Sequence, residues 1–311
     1  MRKVRDIELT GSESVDSVLR QMGLAGGFTA RDLGETVDIL EEMVKDPSCV
    51  KFLSFPAAPV ATGLRGVFRK MVEAHLVDVI ITTCGMLDHD VARVWGDYLE
   101  GAFELDDAQL YRKGIHRLGN VLVPRDSYGV LLEEKLQPFF EGLYNEGVRK
   151  ISSAELCQRL GQFVDSKSSI LYWANVNKVP VFVPGLTDGA VGSQIWLFSQ
   201  RHRDFQIDVL KDEQQISDIV YEAKKSGALI IGGGISKHHT LWWNQFRGGL
   251  DYAVQITTAD EWDGSLSGAA VREAISWGKV RPKAKKMTVR GEATALLPFV
   301  VESLLQRLKT H

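Results

Sequence analysis

Residues 227–233 read GALIIGG, four apolar side chains in a row closed off by glycines. A strand with one wet face alternates apolar and polar residues. An unbroken apolar run of this length reads instead as a strand buried on both faces, as in a parallel sheet covered by helices. Working outward from it, KFLSF (51–55), VDVIITT (77–83), NVLVP (120–124), VPVFVP (179–184), FQIDVL (205–210), DYAVQIT (251–257) and KKMTVRG (285–291) are further strand candidates. Helical patterns lie between most of them, among them DEQQISDIVYEAKKSG (212–227) and the closing ATALLPFVVESLLQRLKTH (293–311). This alternation predicts an α/β fold, a mostly parallel sheet with helices on both faces. Residues 1–311 are expected to form a single domain, with 1–48 a polar-rich helical arm outside the sheet.

The totals exclude several classes. The chain has 311 residues, of which 44% are hydrophobic and 25% charged, an ordinary globular composition. A net charge of -3 gives no electrostatic case for nucleic acid or an anionic membrane. Asp6 and Glu8 stand where a signal peptide needs an apolar core, and no apolar run is long enough to span a bilayer. Cys49, Cys84 and Cys157 are odd in number and widely spaced, which forms neither a zinc pattern nor a disulfide framework and suits a reducing cytoplasm. His238 and His239 are adjacent, so they cannot both face one metal from a helix, and no metal site is expected.

Ligands of such sheets sit beyond the carboxyl ends of the strands. Five predicted ends carry small or polar residues: Cys84-Gly85, Gly185 to Gly189 with Asp188, Gly232 to Gly234, Thr258-Ala259 and Gly291-Glu292. Together they suggest a nucleotide-sized ligand lying on bare backbone. Singly each has a plainer reading. GGG makes a tight turn and lacks the GxGxxG spacing, Asp188 can cap a helix, and Trp242-Trp243 can be core or interface packing. Lys279, in EAISWGKV (273–280), reads by itself as a solvated helix end.

Taken together, SSILYWANVNKVPVFVPGLTDGAVG (168–192), GGGISKHHTLWWNQFRGGLDYAV (232–254) and TTADEWDGSLSGAAVREAISWGK (257–279) closely resemble the deoxyhypusine synthase family, with IHRLGNVLVP (115–124) and ATGLRG (61–66) matching its archaeal branch. The resemblance covers roughly residues 50 to 300. It implies a Rossmann-like fold, NAD as cofactor, and a homo-oligomer, usually a tetramer, with active sites shared by paired subunits. It implies transfer of the aminobutyl group of spermidine to one lysine of a translation initiation factor of the 5A type. Lys279 matches the lysine that forms a covalent imine with the substrate, and His238 a histidine that orients it or handles a proton. Glu273, Trp277 and Asn120 match polyamine contacts. For NAD the resemblance points to Thr83, Cys84, Gly85, Asp188, Gly233, Gly234, Thr258, Ala259, Asp263 and Glu292. An amine attacks an imine only when unprotonated, and the face of Trp277 offers both desolvation and cation–π attraction for a polyamine. Glu273, four residues earlier, is expected on the same helical face.

Three positions in the polyamine region depart from the eukaryotic pattern. Ser193 and Leu266 stand where aspartates are expected, and Gln255 where a tyrosine is expected; His89 replaces a glutamate. Other readings therefore stay open: an aminobutyl transferase with a free amine acceptor, like homospermidine synthase, or with agmatine as donor; and, from another class, a non-catalytic NAD-binding regulatory subunit. Lys279, His238 and Glu273, all present, argue against the last.

Overall fold

A computed structural model describes residues 3–309. In chain order its elements are α1 (Val15–Leu24), α2 (Phe28–Lys45), β1 (Cys49–Ser54), α3 (Leu64–Glu73), β2 (Val79–Ile81), α4 (Cys84–Trp95), β3 (Leu99–Glu100), α5 (Asp107–Arg112), β4 (Ile115–Leu118), β5 (Val121–Pro124), α6 (Gly129–Asn145), β6 (Lys150–Ile151), α7 (Ser153–Val164), α8 (Ile170–Val176), β7 (Val181–Phe182), α9 (Ala190–Arg201), β8 (Gln206–Ile207), α10 (Val209–Glu222), β9 (Lys225–Ile231), α11 (Gly234–Asn244), β10 (Leu250–Thr257), β11 (Val280–Arg290) and α12 (Ala293–Lys309). The last two residues of the helix expected over 293–311 lie outside the described residues. Where one domain is expected, the chain divides into two compact units. The first is made of residues up to Phe55, His75–Ile81 and the chain from Gln215 onward; the second of Pro56–Ala74 and Thr82–Gln214.

The first unit holds five parallel strands in the order β11–β10–β9–β1–β2. The GALII run lies at its centre, Ala228 beside Phe52 on one flank and Ala253 on the other. Side chains along a strand point alternately to opposite faces. Ser226 hydrogen-bonds to Asn244 of α11, whereas a side chain on its neighbour Gly227 would run into Met43 of α2. Helices therefore cover both faces, as the apolar runs require.

Helix α2 is consequently not an arm outside the sheet. Its Leu33, Val37, Leu40 and Met43 are buried, and it packs on β1, β10 and β11. Arg307 of α12 fixes this layer through Asp16 of α1 and Asp38 and Glu41 of α2. Residues 3–14 run without regular structure.

The second unit is helical, with a small antiparallel sheet β3–β5–β4 and the pair β6–β8. NVLVP is thus a strand, but of the small sheet. FQIDVL is a strand only at Gln206–Ile207: the Asp208 carboxylate accepts the Lys211 N–H, a helix-starting cap, and α10 begins at Val209. The helix expected over 212–227 ends at Glu222, because Lys225 already pairs with β1. Helix α4 organises this unit through two carboxylates. Asp88 accepts the N–H groups of Ala190 and Val191 at the start of α9, and Asp90 those of Ile170 and Leu171 at the start of α8.

Candidate active site

In the first unit, three neighbouring strands end in predicted ligand residues: β9 in Gly232–Gly234, β10 in Thr258-Ala259 and β11 in Gly291-Glu292. The Gly232 N–H donates to Ile256 and the Gly291 N–H to Thr257, so the three turns lie side by side. A Cβ on Gly233 would stand 2.3 Å from the Cα of Ser267, so this glycine is dictated by packing. Gly234, with φ +66°, opens on free space at the N-terminus of α11, where a ligand can approach bare N–H groups. Two predicted carboxylates have local work. Asp263 accepts the Ser265 N–H at 2.6 Å, and Glu292 accepts from Thr294 and Ala295 at the start of α12.

Lys279 lies at the opposite end of these strands. Its carbonyl accepts the N–H of Leu250, the first residue of β10, and β11 starts immediately after it. Helix α11 spans the difference. Gly234, His238 and Trp242 follow one another at four-residue intervals on one face, rising about 12 Å along the axis. Lys279 Nζ lies 5.0 Å from the Trp277 ring centroid and 5.6 Å from that of Trp242. His238 stacks on Trp242 at 5.7 Å, with an interplanar angle of 18°. Burial, then the nearby charge of Lys279, lowers the His238 imidazole below its ordinary value, which favours its neutral form. Glu273 and Trp277 are exposed, Trp277 by 67%. They do not share an α-helical face: only Glu273–Ile275 is a 3-10 turn, and the Lys279 N–H closes back on Ala274.

Gln255, expected to touch substrate, is fully enclosed. Its Nε2 donates to the carbonyls of Gly232 (3.0 Å) and Ser267 (2.9 Å), so it fastens strand end to loop. Its position inside β10 is the physical reason.

In the second unit, the structure brings Thr83, Cys84 and Gly85 together with the turn bearing Asp188. A Cβ on Gly189 would stand 2.7 Å from Cys84 Sγ and 2.8 Å from Asp88 Oδ2. Gly189→Ala is therefore expected to cost about 1–3 kcal/mol by overpacking, read as a lowered denaturation midpoint; an unchanged midpoint would show that the turn yields freely. Ser193 is exposed and donates to Gly189 O. Asn120 is exposed in the turn joining β4 and β5, with no hydrogen bond to another predicted site residue. The Thr83 hydroxyl, at the N-cap of α4, is buried without a hydrogen-bond partner. An orphaned hydroxyl at a helix N-terminus suits the ribose or phosphate oxygens of a nucleotide.

His89 shares a 2.8 Å hydrogen bond with the Tyr98 hydroxyl and lies against Tyr128, whose hydroxyl donates to Asp88. Burial, and secondarily Arg93, lowers His89 from 6.5 to about 4. The unfolded chain takes up this proton at higher pH than the folded one. Stability is thus expected to fall as pH drops through this window. Urea titrations between pH 7 and 4 should show a shallower loss in His89→Gln; an unchanged slope would contradict the assignment.

Among the described residues, no group of three or more His, Cys, Asp or Glu could hold a metal ion, and no helix is long and apolar enough to cross a membrane. The family model for deoxyhypusine synthase matches residues 17–304.

The chain belongs to the deoxyhypusine synthase family. It is 51% identical over 303 residues to a protein of Picrophilus torridus named "Probable deoxyhypusine synthase", covering 97% of each chain. A relative of the same name in Thermoplasma acidophilum is 50% identical, over 98% of this chain and 97% of its own. The crystal structure of an Entamoeba histolytica protein assigned as a deoxyhypusine synthase superposes with a TM-score of 0.68 at 18% identity, over 98% of this chain and 96% of that one, which shows the shared fold. Family membership makes the chain an enzyme, a transferase of the spermidine-dependent aminobutyl reaction that leads to hypusine.

Residue-type reasoning for a deoxyhypusine synthase passed over Lys237, Asp88 and Asp90. A signal existed for each. Lys237 falls one helical turn from buried Thr240 and Leu241, and both aspartates sit among apolar residues of α4, where only a partnered charge can stay.

Proposed function

We propose that this deoxyhypusine synthase uses NAD and a covalent imine on Lys279 to move the aminobutyl group of spermidine onto one lysine of a translation factor of the 5A type. The observation that carries the reading is the placement of Lys279 Nζ over Trp242 and Trp277 with His238 stacked beside them. In the first unit the residues proposed for NAD are Gly233, Gly234, Thr258, Ala259, Asp263 and Glu292; in the second they are Thr83, Cys84, Gly85 and Asp188. The open backbone at Gly234 and the orphaned Thr83 hydroxyl fit such a group. Held by these residues, NAD would supply a reversible hydride acceptor for the amine donor.

The chain's own residues do the rest. The aromatic faces of Trp242 and Trp277 hold the cationic, alkyl-rich amine by cation–π and apolar contact. Glu273 is proposed to bind a substrate ammonium, and Asn120 and Ser193 to contribute further polyamine contacts. Gln255 is proposed to support the loop rather than touch substrate. Neutral His238 can accept a proton from an attacking amine. Lys279 Nζ bonds to the oxidised carbon as 1,3-diaminopropane leaves, and is displaced in turn by the acceptor lysine. Exposed Trp242, Phe246 and Trp277 support a homo-oligomer, proposed as a tetramer, and the three buried free thiols support a cytoplasmic setting. Release of 1,3-diaminopropane from spermidine, dependent on added NAD, tests the reading. Equal release without NAD would refute it.

A further inference from the structure

We propose that Lys237 is a positioning residue that sets helix α11 in register with the segment carrying Glu273, Trp277 and Lys279. Lys237 is only 1% exposed. Its ammonium donates to the carbonyls of Leu266 at 2.7 Å and Ala269 at 2.5 Å. A carboxylate is the usual partner for a charge taken out of water, and two carbonyls compensate its lost hydration less well. Burial accordingly pulls Lys237 down to about 8, with Glu273 opposing and Arg290 reinforcing. An apolar residue of similar volume could fill this part of the core, so what the lysine adds is its pair of hydrogen bonds to the loop.

What it holds is a loop in which the successive carbonyls of Leu266, Ser267, Gly268 and Ala269 all accept side-chain hydrogen bonds. Leu266 and Ala269 accept from Lys237, Ser267 from Gln255 and Thr257, and Gly268 from Arg290. The loop runs directly into Glu273–Lys279. Lys237 itself immediately precedes His238, and one turn later α11 supplies Trp242. The two tryptophans under Lys279 Nζ therefore come from two different segments, and Lys237 joins those segments. A slip of α11 against the loop would part Trp242 and His238 from Lys279 while leaving every one of those side chains intact. Misplacement by about 1 Å is enough to cost on the order of a hundredfold in rate.

The proposal rests on Lys279 carrying the covalent intermediate, and the test separates the two. Lys237→Met keeps volume but donates no hydrogen bond, whereas Lys237→Gln is neutral and still offers two N–H donors. The rate of borohydride-trapped label at Lys279 and hydrogen exchange over residues 264–272 would be followed with NAD and spermidine. Lys237→Met is expected to lose about a hundredfold in trapping rate and to exchange faster over 264–272, and Lys237→Gln to recover at least part of both. Trapping in Lys237→Met within about twofold of the unaltered enzyme, or equal losses in the two variants, would overturn the positioning role. If the unaltered enzyme gives no label at Lys279, the function proposed above fails, and the exchange comparison still decides whether Lys237 holds the loop.

Discussion

Lys279→Ala is expected to abolish the covalent intermediate and to lower aminobutyl transfer by at least about a thousandfold, the scale on which loss of a nucleophile acts when the rest of the site remains. The fold should survive. Lys279 is a partly exposed residue between a 3-10 turn and β11, and its anchoring bonds, from its N–H to Ala274 and from Leu250 to its carbonyl, are made by backbone. Alanine keeps both. The loss should therefore fall on chemistry, with NAD affinity unchanged. Peptide mapping after borohydride reduction would find label on the peptide containing Lys279 in the unaltered chain and none in the variant. Label of equal strength in Lys279→Ala would move the nucleophile elsewhere, with Lys237 the first alternative to examine.

Asp90→Ala is expected to be the most destabilising single change in the second unit. The Asp90 carboxylate is fully buried and accepts four hydrogen bonds: from Arg65 Nε at 2.7 Å, Ser169 Oγ at 2.6 Å, and the N–H groups of Ile170 and Leu171 at 3.0 Å. Its removal strands the guanidinium of Arg65, itself 7% exposed, and uncaps α8. Breaking a buried pair from one side costs about 3–5 kcal/mol, because a charge is left without compensation. Replacing both partners avoids that charge, so Arg65→Met with Asp90→Asn should lose less than Asp90→Asn alone. Denaturant midpoints of the three variants decide the matter. A loss below about 1 kcal/mol in Asp90→Ala would mean that water reaches Arg65.

The sequence made the sheet legible where burial on both faces leaves no room for polar residues. GALII and DYAVQIT are strands because helices cover them from either side. It was less legible where one side chain decides. Asp208 turns FQIDVL into a helix start, and nothing in the apolar count of that run announces it. NVLVP has strand character, but its partners β3 and β4 are so short that no periodicity marks them as a separate sheet. The division into two units was invisible because each is assembled from segments far apart in sequence. Roles of single residues came from resemblance. Gly, Asp and Trp at strand ends are compatible with many chemistries, and physics alone does not choose among them. Lys237 was missed because a lysine reads as solvent-facing until the carbonyls that receive it are known.

The central claim is that a lysine of another protein receives the aminobutyl group, and the direct measurement is the mass of that protein. The enzyme, NAD, labelled spermidine and the translation factor of the 5A type would be incubated together, and both proteins analysed intact and as peptides. One added aminobutyl group on a single lysine of the factor, with label on Lys279 only transiently, is the predicted result. Label leaving Lys279 for free amines, with the factor unmodified, would contradict it.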